Sequence, residues 1–566
     1  YIRAIRWASD RIKSNGVIGF VTNGGFVDGN AADGLRKCLA DEFSNLYVFH
    51  LRGNQRTAGE LSRKEGGKIF GGGSRAPIAI SILVKNPKAA RRGQIHFHDI
   101  GDYLSREEKL ETIATLASID GISNGPGWRL IVPDAHGDWL KQRDTSFAAH
   151  VAIGDKDGSE ARTIFRNYSR GLETNRDAWC FNFSAQTLKG AVQRTVAFFN
   201  NESARISPEI QSKATSPGEA ERLLNVDPKN ISWNRSLKQM AARGARLSLD
   251  QSRVMQSIYR PFTKEWVYFD RSLIAYVNQM PRIFPDATAK NVMIMVKQRW
   301  SGDGQLALMV DHVCELQTDG GTQCFPLYLY DAEHKDDEDA TLFSVSNKQN
   351  APKRRDAITD EGLAHFREAY PSETISKEDL FYYVYGLLHS PDYRERFADN
   401  LGKELPRIPR VKTAADFWAF SKAGRALGDL HINYEKAPIY EGAKVTHSGK
   451  TRDYRVEKMR YGGKGRGSEQ DRTTLHYNDS ITVTSIPLEA YEYVVNGKPA
   501  LDWVVERQCV KTDKDSGIVN DANDWAVETM KNPKYPLELF LRVITVSLET
   551  MKIVKSLPKL DVHEKG

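Results

Sequence analysis

Cysteine is scarce: there are five in 566 residues (Cys38, Cys180, Cys314, Cys324 and Cys509), with no Cys-x-x-Cys and no histidine partner at zinc spacing. That excludes a disulfide framework or structural metal as the organising principle, and a reducing cytoplasm is the simplest setting. No nucleophile elbow between a strand and a helix, His-Glu-x-x-His, Walker-type phosphate loop or nuclease-like carboxylate cluster occurs, so no hydrolase, zinc-protease, ATPase or nuclease chemistry is assigned. A long uninterrupted apolar run is missing too. Leu537 to Leu557 comes nearest, but Glu538, Arg542, Glu549 and Lys552 interrupt it, which describes an amphipathic core helix and no membrane partner. There is no repeat of fixed period and no long low-complexity tract.

What is present is the composition of an ordinary soluble protein, 40% hydrophobic and 27% charged, long enough for two to four domains. The net charge of +7 is a mild bias whose distribution says more. Leu51 to Arg75 holds six basic residues against two acidic, and Gly449 to Arg472 eight against four, each with several glycines. Flexible basic loops of this kind suit phosphate contact, although such a loop also serves simply as solvated surface.

Hydrophobic periodicity begins as α/β. Ile2, Ile5, Ala8 and Ile12 share a helical face, Val17 to Thr22 is a short apolar strand, and Asp28 or Asn30 is placed to cap a helix through Cys38 and Phe43. Leu46 to Leu51, Ile78 to Val84 and Gln94 to Ile100 are further strands. Gly121 to Gly127 is the clearest breaker cluster, and a domain boundary is expected near it. Beyond lies an α+β pattern: strands at Thr163 to Phe165, Ala178 to Phe183, Val292 to Val296, Ala307 to Val310 and Leu327 to Tyr330, then helices. Ser376 and Asp379 form a capping-box pair, Pro391 starts another helix, and Ala414 to Leu430 supplies a third. Ser480 to Ser485 and Tyr491 to Val495 read as strands, with Asn496-Gly497 a turn.

The run Gly16-Val17-Ile18-Gly19-Phe20-Val21-Thr22-Asn23-Gly24-Gly25-Phe26, followed by a helix-like stretch and the strand Ala76 to Lys85, resembles the back half of a gamma-class adenine-N6 DNA methyltransferase. In that class a strand ending in Thr-Asn or Thr-Ser follows the catalytic Asn/Asp-Pro-Pro-Tyr/Phe tetrapeptide, and the glycine-rich cofactor turn lies further upstream. This sequence contains neither Asn-Pro-Pro nor Asp-Pro-Pro, and Gly71-Gly72-Gly73 precedes a strand instead of linking strand to helix. With Tyr1 at its start, the chain is expected to be a segment of a larger enzyme, beginning inside its methyltransferase domain. The alternative is a complete small α/β protein.

Four separated segments resemble one family, the Type ISP restriction-modification enzymes: Tyr168 to Trp179, Tyr259 to Tyr268, Asp379 to Pro409, and Val510 to Lys514 through Asp524-Trp525. That family orders nuclease, RecA-like ATPase motor, helical coupler, adenine methyltransferase and target recognition domain along one polypeptide. The resemblance implies a partial Rossmann-like methyltransferase sheet over residues 1–120 and a linker over 121–160. A mixed α+β target recognition domain would follow over 161–566, with a helical subdomain near 358–430. It implies double-stranded DNA as partner, the nuclease, motor and catalytic half upstream, and S-adenosylmethionine as cofactor of the whole enzyme but not of this segment. No catalytic, cofactor-binding or metal-binding residue is assigned within the chain.

Such an enzyme must read base edges and swing one adenine out of the stack. Arg170, Asn175 and Arg176 cluster in a glycine-containing turn and offer the forked donor and amide that suit guanine and adenine edges. Equally, Asn175 can cap the turn while Arg176 pairs with Asp177. Lys464 and Arg466, in a glycine-rich loop, fit phosphate contacts or a plain surface loop. Arg260 and Lys264 lie among aromatics, which favours packing, as it does for Trp179; Lys353-Arg354-Arg355 reads as a solvated turn. The resemblance places Phe70 where an aromatic stacks on the flipped adenine; a hydrophobic anchor is the competing role. Functionally, the alternative is a stand-alone specificity or anti-phage protein whose catalytic partner is a separate chain.

Overall fold

The computed structural model describes residues 1–57, 59–213, 222–300, 302, 304–330, 353–448, 453–463 and 470–563. The chain divides into two compact units, Tyr1–Phe147 and Ala148–Gly566.

In the first unit, helices α1 (Ile2–Ser9), α2 (Asp33–Glu42), α3 (Gly59–Glu65), α4 (Arg106–Leu116) and α5 (Ile119–Asn124) accompany a five-stranded sheet. Its strands are β1 (Gly16–Asn23), β2 (Asn45–Arg52), β3 (Ile78–Lys85), β4 (Gln94–Asp99) and β5 (Arg129–Ile131), in the order β1-β3-β2-β4-β5. The four apolar runs of the sequence thus coincide with β1 to β4. Because β3 is antiparallel to both β1 and β2, while β4 is parallel to β2, three strands point the same way and end at Asn23, Arg52 and Asp99. Alternation along β2 sends Leu46 and Val48 into one core with Ile5, Phe26 and Leu39. It sends Phe49 and Leu51 into another with Ile113, Leu116 and Ile122.

The boundary falls after Phe147, not near Gly121. Residues 121–147, expected within a linker, belong to the first unit: β5 pairs with β4, and the wholly buried Arg36 of α2 reaches across to them. Its guanidinium donates to the Gly137 carbonyl and Asp138 Oδ1, both at 2.8 Å, and to the carbonyls of Phe26 and Gly29. The glycines misled because they serve close packing: a Cβ at Gly121 would lie 1.8 Å from the Leu116 carbonyl oxygen, so only glycine lets α5 follow α4 so tightly.

The second unit is α+β with several small sheets. Val254–Arg260 pairs with Thr263–Tyr268, flanked by Val313–Cys314 and Phe181–Asn182. Met293–Lys297 lies between Ala307–Val310 and Thr322–Pro326, the latter carrying Ser169–Arg170 at its edge. A third sheet orders Lys444–His447, Ile481–Thr484, Asp471–His476 and Arg460–Gly462. Asn496 (φ 50°) and Gly497 (φ 74°) close a hairpin between Val494–Val495 and Lys498–Pro499, as Asn-Gly in a two-residue turn requires. One expected strand is absent: Asp177–Cys180 is a short helix and only Phe181–Asn182 is extended. A long helix, Ala185–Lys213, was not anticipated, although Leu188, Val192, Val196 and Phe199 recur at helical spacing and are buried.

The helical block forms as its caps dictate. Ser376 and Asp379 make a reciprocal capping box on Lys377–Leu388, Ser390 caps Pro391–Arg396, and Thr413 caps Ala414–Ile432. The apolar C-terminal run is the helix Tyr535–Lys555; no helix among the described residues is long and apolar enough to cross a membrane. A polar string is sealed between these helices. The Tyr385 hydroxyl accepts from Met309 N and meets His431 Nδ1 at 2.5 Å, and His431 Nε2 lies 2.9 Å from Thr550 Oγ1 and 3.0 Å from the Tyr493 hydroxyl. His389 Nδ1 donates to the Tyr385 carbonyl, leaving a buried Nε2 without a partner.

Burial pulls His389 down to about 4 and His431 far below the ordinary imidazole range. Above the unfolded value near 6.5 neither state carries the proton. As pH falls below it the unfolded chain becomes charged first, so stability is lost between about 6.5 and 4, by about 3 kcal/mol for His389 alone. Carboxyls raised by burial, such as Glu265, oppose this by gaining stability over the same descent. Comparison with His389→Gln cancels them: the stability of the parent relative to the variant is expected to shrink by that amount between pH 7 and 4 in urea unfolding. A constant difference would contradict the assignment.

Candidate nucleic-acid interface

In the first unit the parallel strand ends converge on a charged cluster. Arg52 Nε donates to Asp99 Oδ1 at 2.7 Å and the guanidinium also pairs with Asp102, while His50 Nδ1 lies 3.5 Å from Asp99. Burial alone would raise the Asp99 carboxyl; hydrogen bonds from His50 and Gly101 and the Arg52 charge overcome it and hold it at about 2. From this end rises the basic, glycine-rich loop that follows β2. Lys109, wholly buried, pins the loop base by donating to the Glu65 and Gly67 carbonyls at 2.7 and 2.8 Å. The hydrophobic anchor of the loop is Ile69, which is buried, whereas Phe70 is 50% exposed. The anchor role considered for Phe70 therefore falls to its neighbour, and the ring is available to a ligand. Around Gly71, Gly72 and Gly73 there is open space at each α-carbon, so no close approach of the surrounding chain requires glycine there.

In the second unit the turn after Tyr168 is shaped by close approach. A Cβ at Gly171 would sit 2.7 Å from the Glu315 carbonyl. Glu173 and Tyr276 exchange backbone hydrogen bonds, both 3.0 Å, and Asn175 then adopts φ 57°, in the left-handed region asparagine tolerates. The result separates the three predicted residues. Arg170 is exposed, with Glu173 at 4.0 Å and the Lys156 charge near enough to feel it, and Asn175 is exposed. Arg176 is a correction: it is 6% exposed, and all three guanidinium nitrogens are enclosed without a hydrogen-bond partner. It neither projects into solvent nor pairs with Asp177, whose carboxylate bonds Thr174 and the Tyr259 hydroxyl and lies 4.0 Å from Arg260. Trp179 is core, as its composition suggested.

Arg260 and Lys264 are structural as expected, in buried ion pairs with Glu315 (2.5 Å) and Glu435 (2.7 Å). Arg354 and Arg355 belong to an exposed edge strand, Arg354–Asp356, and the Arg354 guanidinium covers the Tyr328 ring at 4.1 Å; this is a paired strand where a turn was expected. Lys464 and Arg466 lie outside the described residues. Among the described residues no group of His, Cys, Asp and Glu could hold a metal ion.

Sequence reasoning missed what three of the four family-like segments do together. Asp177 and Ala178 of the first, Tyr259 and Glu265 of the second, and Lys511 and Asp513 of the fourth line one cavity of about 130 Å³, which Phe181, Ile518 and Asn520 complete. Burial pushes the Glu265 and Glu315 carboxyls up to about 7, although Asn520 and Arg260 respectively oppose the shift. The available signal was the shared resemblance itself, since nothing in residue spacing joins positions so far apart.

Comparison with known proteins gives a consistent result. The family model for the Type ISP C-terminal specificity domain matches residues 163–539. Among solved structures, a nuclease-deletion mutant of the Type ISP restriction-modification enzyme LlaGI, in complex with a DNA substrate mimic, is 40% identical with a TM-score of 0.83; the match covers 100% of this chain and 48% of that one. The ATP-dependent Type ISP restriction-modification enzyme LlaBIII bound to DNA is 37% identical (TM-score 0.84; 100% and 34% covered). A DrdV–DNA complex is 30% identical (TM-score 0.80; 98% and 52%). The chain thus spans about half or less of these solved chains. No curated protein matches it.

Proposed function

Because the chain belongs to the Type ISP restriction-modification enzymes, we propose that it recognises a specific sequence in double-stranded DNA for an adenine-N6 methyltransferase. The observation that carries this reading is the specificity-domain match over residues 163–539, joined to DNA-bound relatives that align with the whole chain. In this reading residues 161–566 are the target recognition domain, with Arg170 and Asn175 at the duplex and Lys464 and Arg466 on phosphates. Residues 1–120 are the second half of a Rossmann-like methyltransferase domain. β1 supports this, since it pairs on one side only and leaves Val17 and Val21 exposed, an edge suited to further strands of the same enzyme. Phe70, exposed on the loop after β2, would stack on the extruded adenine.

S-adenosylmethionine supplies the methyl group to the whole enzyme. No residue of this chain is assigned to it: Gly71 to Gly73 precede strand β3 and do not link a strand to a helix as a cofactor turn must. The nuclease, motor and catalytic tetrapeptide belong to upstream parts of the parent polypeptide, and the isolated chain binds DNA without methylating it.

Fluorescence anisotropy against a panel of duplexes in rising salt tests the reading. One sequence class should retain tight binding where the others lose it, because phosphate contacts weaken with salt and base contacts do not. Affinity that never depends on duplex sequence would overturn it.

A further inference from the structure

The cavity enclosed by the three family-like segments is built like a ligand site. Phe181 and Tyr259 form its apolar wall, with ring centroids 5.0 Å apart and tilted by 46°. Glu265 is 2% exposed; Oε2 accepts from Asn520 Nδ2 at 3.1 Å, and the other carboxyl oxygen makes no hydrogen bond among the described residues. Asp177 supplies a second acceptor, near enough to influence the Glu265 carboxyl. Lys511 is exposed and stands opposite Asn520 in the hairpin of Val510–Thr512 with Val519–Asp521. Asp177 follows Asn175 by two residues, so the cavity lies beside the turn placed at the duplex.

We propose that this cavity receives a cytosine turned out of the stack, its exocyclic amino group donating to Glu265 and Asp177. The inference rests on the DNA-recognition reading above. Three features select the ligand. A volume of about 130 Å³ is close to the roughly 150 Å³ that holds one six-membered ring, which favours a pyrimidine over a purine. Of the three carboxyl groups, Asp513 is engaged by Ser516, and the other two call for a ligand with two hydrogens on one nitrogen, which the cytosine amino group has and thymine lacks. Aromatic walls suit an extruded base, and Lys511 suits the phosphate attached to it. A Glu265 carboxyl near 7 is protonated for part of the time and can then donate to cytosine N3 while its carbonyl accepts from the amino group.

Saturation-transfer NMR on the chain tests this with deoxycytidine and thymidine monophosphates at millimolar concentration. The deoxycytidine nucleotide should show transfer to its ring protons and bind about tenfold more tightly than the thymidine nucleotide. Glu265→Gln should remove that preference, and Lys511→Ala, at the exposed mouth, should weaken binding severalfold with an unchanged melting curve. If Glu265→Gln fails to fold, the Lys511 variant and the nucleotide preference still decide the matter. No transfer, equal binding of both nucleotides, or indifference to Lys511→Ala would overturn the cavity assignment. Sequence-specific duplex binding that persists in that case would leave the recognition reading standing, whereas its absence from the parent chain would end both.

Discussion

Arg170→Ala should remove discrimination at one base pair of the target worth roughly 1–3 kcal/mol, about five- to 150-fold in relative affinity, while the chain stays folded. Arg170 is exposed on an edge strand whose backbone is held by pairing with Gln323, and the ion pair it makes with Glu173, at 4.0 Å, is too long to immobilise it. Truncation therefore removes a free forked donor and no structural bond. Competition binding with the cognate duplex and single-base variants gives the readout. If the guanidinium instead meets a phosphate, all duplexes weaken together and the salt slope falls by about one. Unchanged affinity and unchanged specificity would take Arg170 out of the interface. Asn175→Gly is the matched test of the amide, because glycine keeps the left-handed backbone and deletes only the side chain.

The second large effect is on stability. Gly386→Ala or Gly424→Ala should each cost about 3 kcal/mol, at the upper end of what overpacking does in a closed core. A Cβ on Gly386 would lie 2.1 Å from the Phe420 carbonyl oxygen, and one on Gly424 would lie 1.9 Å from that of Tyr382. Both obstacles are helix backbone, so relief requires the helices Lys377–Leu388 and Ala414–Ile432 to separate. Separation would loosen the buried string through Tyr385 and His431 that they enclose with Tyr535–Lys555. Urea unfolding measures the loss. A midpoint shift worth less than about 0.5 kcal/mol would show that the contact is slack.

Much of the architecture was legible locally. β1 to β4 were written as apolar runs, the capping box at Ser376 and the Asn496-Gly497 turn as turn chemistry, and the family as four short segments. Where the pattern misled, close packing or a side-chain bond had intervened. Gly121 looked like a linker residue but is a packing glycine. Arg176 looked like a surface donor but its guanidinium is buried. The same turn chemistry makes Asp177–Cys180 helical where β-propensity suggested a strand, because Thr174 accepts from Arg176 N and bonds Asp177 at the first turn.

By itself, then, the order of residues determined the first four strands, the capped helices of the helical block, and which family the chain joins. Those properties arise from side-chain periodicity and hydrogen bonds between neighbours a few positions apart. Only the tertiary structure decided which charges meet water and which are enclosed: that Arg170 is free and Arg176 is not, that Ile69 anchors a loop and Phe70 does not, and that Asp177, Glu265 and Lys511 share one cavity. Exposure and desolvation are properties of the packed neighbourhood, and no stretch of sequence contains its own neighbourhood.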